Sequence, residues 1–305
     1  MGDAIALSLS AMRLLITGAG GMLGADVAQS ARRDGHDVVA LAHADLDIVD
    51  REGCASAIVG ARADVVVNCA AYTDVDGAES DEETATAVNG LGAGQVARAA
   101  AAAGAAIVHI SSDYVFDGSK AAPYVETDPP APVSAYGRSK LAGELAVADG
   151  NPERHAVVRS SWLFGLGGPN FVETMLRMAA ERDEVSVVTD QVGCPTWTGH
   201  LGEGIVELCK RFAPGVHHVA GGGSASWYEF AVRIFKATGT DCAVRPTTTA
   251  EFPRPARRPA NSVLARSRGE TPRIGPWEQG LEAYLAQRAA VAPPEVEARG
   301  NESRR

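Results

Sequence analysis

Through the first half of the chain, short β-branched or apolar runs alternate with Ala-rich segments of helical length. That alternation is the pattern of repeated strand–helix–strand units and a parallel sheet. The runs Met12 to Thr17, Asp37 to Leu41, Asp64 to Asn68, Ala106 to Ser111 and His155 to Ser160 predict strands. Between them, Leu23 to Asp34, Ala85 to Ala103 and Ala135 to Ala148 predict helices. The strand runs are nearly continuously apolar, as expected of strands covered on both faces. The fold class is therefore α/β with a doubly wound parallel sheet.

Beyond about residue 160 the regularity drops and Pro and Gly cluster, at Gly165 to Pro169, Gly193 to Thr196, Gly221 to Gly223 and Pro253 to Pro259. A first unit over 12–160 and a smaller, mainly substrate-binding C-terminal domain over 161–287 are expected. Val185 to Val188 and Val216 to Val219 also look like strands that could cross back to the sheet. Residues 288–305 are Ala, Pro, Glu and Arg with little to bury, which predicts a loose tail.

Composition narrows the class. The chain has 305 residues, 46% hydrophobic and 22% charged, within the range of ordinary folded proteins. A formal net charge of −10 argues against a nucleic-acid-binding surface. The five cysteines, Cys54, Cys69, Cys194, Cys209 and Cys242, are scattered without zinc-site spacing, so they are expected to be reduced and mostly buried, and no metal site is expected. Asp3 stands where a signal peptide would carry basic residues, and no apolar run is long enough to span a bilayer. A soluble, cytoplasmic protein without membrane or nucleic-acid partners is expected.

Two constellations carry chemistry. Met12 to Thr17 runs directly into Gly18-Ala-Gly-Gly21-Met22-Leu23-Gly24 and then a helix. Glycine permits the tight turn and close backbone approach, and the helix N-terminus offers unpaired N–H groups to a pyrophosphate, the arrangement of a Rossmann-type dinucleotide site. Where an NAD-specific site usually places a carboxylate for the ribose, after Val38 to Leu41, this chain has Ala42 and His43. The reading leans to NADPH, with NADH also admitted. The second constellation is Ser111-Ser112-Asp113 at a strand end and Tyr136-Gly-Arg-Ser-Lys140 at a helix start. Tyr136 and Lys140, four residues apart, share one helical face. Tyrosine is a weak acid, with a reference pKa of about 10, and a neighbouring lysine is expected to lower it, while Ser112 holds a substrate oxygen for protonation.

In these segments the chain resembles the extended short-chain dehydrogenases, and within them the dTDP-4-dehydrorhamnose reductases. The resemblance runs over roughly residues 12 to 286. Further markers are Leu46 to Asp50, Val67 to Glu79, Ser111 to Gly118, Tyr136 to Glu144, Arg159 to Phe164, Asp190 to Thr196 and Arg258 to Ser262. The resemblance implies reduction of the 4-keto group of a dTDP-linked 4-keto-6-deoxy sugar, most simply dTDP-4-dehydro-L-rhamnose. Tyr136 would be the acid, Lys140 its electrostatic partner and Ser112 the orienting hydroxyl. By position it implies cofactor contacts from Gly18, Gly21, Met22, Leu23, Gly24, Asp47, Ile48, Cys69, Ala70, Ala71, Ile110, Tyr136 and Lys140. Ser112, Asp113 and Trp162 would contact the sugar. Two departures stand out: Ser112 where the family often has Thr, and Ala42 where it often has an acid. A magnesium ion has been described at a dimer contact in some members through glutamates; Asp26 occupies the first such position, and no metal is assigned.

Other readings stay open for several residues. Asp47 and Asp113 also suit turns, and Trp162 also suits a core. Arg254, Arg257 and Arg258 form the one concentrated basic segment, suited to phosphate or to a solvated loop. Alternatives for the whole chain are a 4-ketoreductase for another deoxysugar, epimerase or dehydratase chemistry with bound NAD, and a non-catalytic nucleotide-binding regulatory subunit. The dehydratase reading is weakened by Tyr114, which stands where such enzymes tend to carry Glu. Homodimerisation is left open.

Overall fold

A computed structural model describes residues 11–291. The first unit contains β1 (Arg13–Thr17), α1 (Met22–Arg33), β2 (Asp37–Leu41), α2 (Arg51–Ala61), β3 (Val65–Asn68), α3 (Glu82–Thr86), α4 (Ala93–Ala102), β4 (Ala106–Ser112), α5 (Ala135–Gly150) and β5 (His155–Ser160). Then come β6 (Leu163–Phe164), α6 (Phe171–Glu181), β7 (Glu184–Val188), β8 (Val192–Gly193), β9 (Thr196–Trp197), α7 (Thr198–Lys210) and β10 (Gly215–His218). The last elements are β11 (Ala225–Ser226), α8 (Trp227–Thr238), β12 (Ala243–Thr247) and α9 (Trp277–Val291).

The main sheet is parallel, six-stranded, in the order β10-β5-β4-β3-β1-β2. Successive side chains of a strand point to opposite faces, and here both faces are dry. Leu14, Ile16, Val65, Val67, Val108 and Val158 pack under α1 and α7, with Leu201 and Ile205. Leu15, Val66 and Ile107 pack on the other face with Ile58 of α2, Val96 of α4 and Val147 of α5. This explains the continuous apolar runs in the sequence. The strand order changes direction between β1 and β3, and in doubly wound sheets ligands bind outside the carboxyl ends of the strands at such a switch point.

Four expectations are corrected. Helix α2 falls where the pattern gave none, because Gly53 and Gly60 and its many Ala positions blur any amphipathic stripe; Asp50 caps it by accepting from Glu52 N. The single helix expected over 85–103 starts earlier, at Glu82, and contains a π-helical stretch at Ala87–Gly92 that turns Asn89 inward. Val185 to Val188 does not return to the main sheet: β7 pairs only with β12, whereas β10 does join it beside β5. Finally, α9 extends into the stretch expected as tail, and Arg288 pairs with Glu173 at 2.7 Å; residues 292–305 lie outside the described residues. The second unit has its own aromatic core, with Phe164, Phe230, Trp277 and Tyr284. All five cysteines are free, four of them buried. Among the described residues no helix is long and apolar enough to cross a membrane.

One buried ion pair ties the sheet to α5. Arg159 on β5 donates to both oxygens of Glu144 at 2.9 and 2.6 Å, and Ser111 on β4 donates to the same carboxylate. Both charged side chains are under 7% exposed, so losing one partner leaves an uncompensated buried charge. Glu144→Ala is expected to cost about 3–5 kcal/mol in urea unfolding, and Glu144→Leu combined with Arg159→Leu much less. Equal losses in the single and double variants would contradict this account.

Candidate active site

The turn after β1 sets the first half of the site. Gly21 N–H donates to the Gly18 carbonyl, and α1 begins immediately after it. A Cβ on Gly24 would overlap the Gly18 carbonyl oxygen, so the helix approaches the turn as closely as only glycine permits. No side chain caps α1, and its first turn holds no acidic residue. The first N–H groups of a helix lack partners within it, so this end offers free donors and a partial positive charge. The residues present fit a dinucleotide pyrophosphate.

The remaining cofactor candidates surround this turn. Cys69, Ala70 and Ala71 follow β3, with Cys69 N–H bonded to the Thr17 carbonyl. Ile48 is buried. Asp47 lies beside it, but its carboxylate accepts from Val49 N–H at 3.0 Å, the turn role that its sequence also allowed. Ala42 N–H is bonded to Asp45, and neither Ala42 nor His43 supplies a carboxylate.

The second half of the site lies at the ends of β4 and α5. Ser134 caps α5 through Gly137 N–H, so Tyr136 and Lys140 fall in its first two turns. Lys140 is 2% exposed and donates to the carbonyl of Ile110 at 2.7 Å. Burial pushes its ammonium down to about 8, against the pull of Glu144 and Cys69. Tyr136 is pushed up to about 12, chiefly by burial and then by Asp113, with a hydrogen bond from Ser112 opposing. The expected lowering of this phenol by Lys140 is thus corrected: desolvation dominates, and the ammonium is spent on the Ile110 carbonyl. Ser112 lies close enough to Tyr136 to oppose part of that rise, while its hydroxyl donates to Asp113 Oδ1 at 2.9 Å.

Asp113 is 1% exposed. It accepts from Ser112 at 2.9 Å, its second oxygen has no partner, and burial raises it to about 6 despite hydrogen bonds from Ser262 and Ser112. Trp162 has a left-handed backbone, φ 49°, an uncommon and strained state for a bulky residue. Its indole stacks on Trp227 at 3.5 Å between ring centroids. Ser112, Asp113, Tyr136 and Lys140 are thus brought together, with Trp162 beyond them at the end of β5.

Three neighbours were given no role by the sequence. Tyr72 packs beside Tyr136, and Tyr114 meets its ring edge-on at 5.5 Å. Both fall inside motifs already quoted, which was the available signal. Trp227 sits on α8, 65 positions after Trp162, and only the tertiary fold pairs them.

The fold and this set of groups define an oxidoreductase of the extended short-chain dehydrogenase class. The chain belongs to the dTDP-4-dehydrorhamnose reductase family: the family described as "RmlD substrate binding domain" matches residues 12–290. It is 45% identical to the dTDP-4-dehydrorhamnose reductase of Mycobacterium tuberculosis H37Rv, over 90% of this chain and 92% of that one. A solved dTDP-4-dehydrorhamnose reductase from Clostridium acetobutylicum superposes with a TM-score of 0.87 at 40% identity, over 91% of this chain and all of that one. The Bacillus anthracis enzyme, solved in complex with NADP, gives the same TM-score at 38% identity and the same coverage.

The closeness of α1 to its preceding turn gives a direct test. Gly24→Ala is expected to weaken NADPH binding by about tenfold or more, or about 1.4 kcal/mol, in a fluorescence titration. Gly60→Ala, on an open face of α2 with nothing within 4 Å, is expected to change nothing.

Proposed function

We propose that this protein reduces the C4 keto group of a dTDP-linked 4-keto-6-deoxy hexose, dTDP-4-dehydro-L-rhamnose foremost, to the corresponding alcohol. The observation that carries the reading is the set of buried Ser112 and Lys140 with half-buried Tyr136, beside an uncapped, glycine-tight helix end. The names of the relatives, and the NADP complex of one of them, support substrate and cofactor alike.

Bound NADPH, or NADH, supplies a hydride to C4. Gly18, Gly21, Met22, Leu23 and Gly24 hold the pyrophosphate, and Asp47, Ile48, Cys69, Ala70, Ala71 and Ile110 line the rest of the cofactor cleft. Ser112 orients the keto oxygen, and Tyr136 delivers the proton to the oxygen as charge develops on it. Lys140, one helical turn on and cationic, favours the tyrosinate left after transfer. Asp113 and Trp162 hold the hexose. Positioning and acid catalysis are enough for such a reaction because the hydride donor carries the difficult chemistry. The reaction is assigned to the cytoplasm, with residues 12–160 as the cofactor unit and 161–287 mainly as the substrate unit. No nucleic-acid or membrane partner is assigned, and a homodimer is compatible with it.

Tyr136→Phe is expected to lower kcat on a dTDP-4-keto-6-deoxy sugar by about 10²–10⁴-fold at saturating NADPH; near-wild-type turnover would overturn the assignment of the acid. The pH profile follows from Lys140. Its ammonium is present below about 8 and lost above it, while Tyr136, at about 12, stays protonated throughout. Reduction is therefore expected to fall as pH rises through about 8. A kcat that rises through that range would exclude Lys140 as the cationic partner.

A further inference from the structure

The hexose end of the proposed site has a wall whose backbone is strained. Residue 162 sits in the left-handed region at φ 49°, where a bulky side chain is uncommon and stays only if its surroundings over-determine it. Local preference does not hold Trp162 there, and the contacts that do lie on both faces of its indole. Trp227 covers one face, with ring centroids 3.5 Å apart and planes 4° from parallel. Gly193 closes on the other. A Cβ on Gly193 would lie 2.5 Å from Trp162 Cε2, against 2.7 Å from Nε1 and 2.9 Å from Cζ2. Cε2 is the fused carbon between those two atoms, and an approach in the ring plane would meet them first, so Gly193 lies over the ring. Trp227 already overlaps the opposite face.

This slot is built by the second unit. Strands β8 and β11 form an antiparallel ladder in which Gly193 pairs with Ala225 and Val192 with Ser226. Trp227 follows at once as the first residue of α8. Gly193 and Trp227 are thereby held one indole apart. A capping box between Ser226 and Glu229 locks the start of α8, and Phe171 packs on Trp227 at 4.5 Å between centroids. The backbone around the indole is tied to the same region: the Trp162 carbonyl accepts from Thr196 N–H at 3.1 Å, and Ser161 Oγ donates to the Cys194 carbonyl at 2.8 Å. Both indoles are half-buried, so the pair keeps a surface open to a ligand.

We propose that Trp227, with Gly193 opposite it, is a positioning residue for the hexose: it clamps the Trp162 indole so that the sugar meets a fixed edge of the ring. This rests on the reading above, in which Trp162 holds the hexose. With both faces covered, the indole has only its edge to offer. A side chain already fixed loses no rotamer freedom when the sugar arrives. The placement also matters for the reacting carbon. Trp162 stands two residues after Ser160, which pairs with Ser112, so a displaced indole shifts the ring relative to the hydroxyl that orients its keto oxygen. Small misplacements of that kind cost rate steeply.

The test reads the hexose separately from the nucleotide. NADPH-loaded protein is titrated calorimetrically with dTDP-L-rhamnose and with dTDP; cofactor and sugar are both reduced, so no turnover intervenes. Trp227→Leu is expected to lower the ratio of dTDP-L-rhamnose to dTDP affinity by about tenfold, with dTDP and NADPH affinities each within about twofold of wild type. It is expected to lower kcat/KM on the 4-keto sugar by about tenfold or more and to remove the exciton couplet of the stacked indoles from the circular dichroism spectrum. Trp227→Phe, which keeps an aromatic face against Trp162, is expected to recover most of the ratio. Gly193→Ala, pushing on the indole from the other side, is expected to lower it as Trp227→Leu does. In a Trp162→Leu background, Trp227→Leu is expected to change the ratio by less than about twofold, because a residue that acts through another is not additive with it. An unchanged ratio in folded Trp227→Leu, or an undiminished loss in the Trp162→Leu background, overturns the proposal. Should Trp227→Leu fold poorly, Gly193→Ala decides, and an unchanged ratio there overturns it equally. A lowered ratio in a protein that turns over no 4-keto sugar supports the clamp and refutes the reductase reading; normal turnover with the ratio unchanged in every variant does the opposite.

Discussion

The close approach of α5 to the end of β4 is the constraint on which the site depends. A Cβ on Gly137 would overlap the Tyr114 carbonyl, so the helix can lie against the catalytic segment only where that position is glycine. Once α5 is there, its geometry sets the rest: Tyr136, Lys140 and Glu144 follow at four-residue intervals and share one face. The first reaches Ser112, the second the Ile110 carbonyl, the third Arg159 and Ser111. One helix face thus carries the half-buried tyrosine, a buried cation and the anion that balances the sheet's own buried arginine.

That arrangement accounts for the titration behaviour. Each group is withdrawn from water, which disfavours its charged form: the phenol rises, the ammonium falls and the Asp113 carboxyl rises. Tyr136 and Lys140 are moved apart, to about 12 and about 8, yet the ammonium is retained up to the edge of the neutral range. His109, on the same strand, is forced to the neutral form by burial and by the cation of Lys140, and it bonds Asn68, which in turn accepts from Thr17. A polar line therefore crosses β1, β3 and β4 beneath the cofactor turn without adding a charge to it.

Much of this was legible in the sequence, for identifiable reasons. Buried parallel strands must be apolar on both faces, so β2 and β5 were bounded to the residue and β1, β3 and β4 within one. Tyr136 and Lys140 were readable because helical spacing is local. What escaped was set by tertiary contacts. Nothing near Val185 says that its partner is β12 rather than the main sheet. The π-helical stretch that turns Asn89 toward Tyr72 and Ser139 has no local signature, since its residues read as ordinary helix. The direction of the Tyr136 shift was misjudged because a nearby lysine is visible in the sequence and the desolvation of the phenol is not.

The same distinction governs charge. A total of −10 describes the far field, which screening reduces to little beyond about 10 Å at ordinary ionic strength. Recognition of an anion is decided inside that distance, by which cations already have partners. Here Glu144, Glu82 and Asp128 each hold one cation, and Asp76 is shared between two, its acidity pushed to about 2 chiefly by the hydrogen bond from Arg258. Because Asp76 belongs to the β3–α3 loop and the arginines to the C-terminal half, the ion pairs that orient them also join the two halves of the chain.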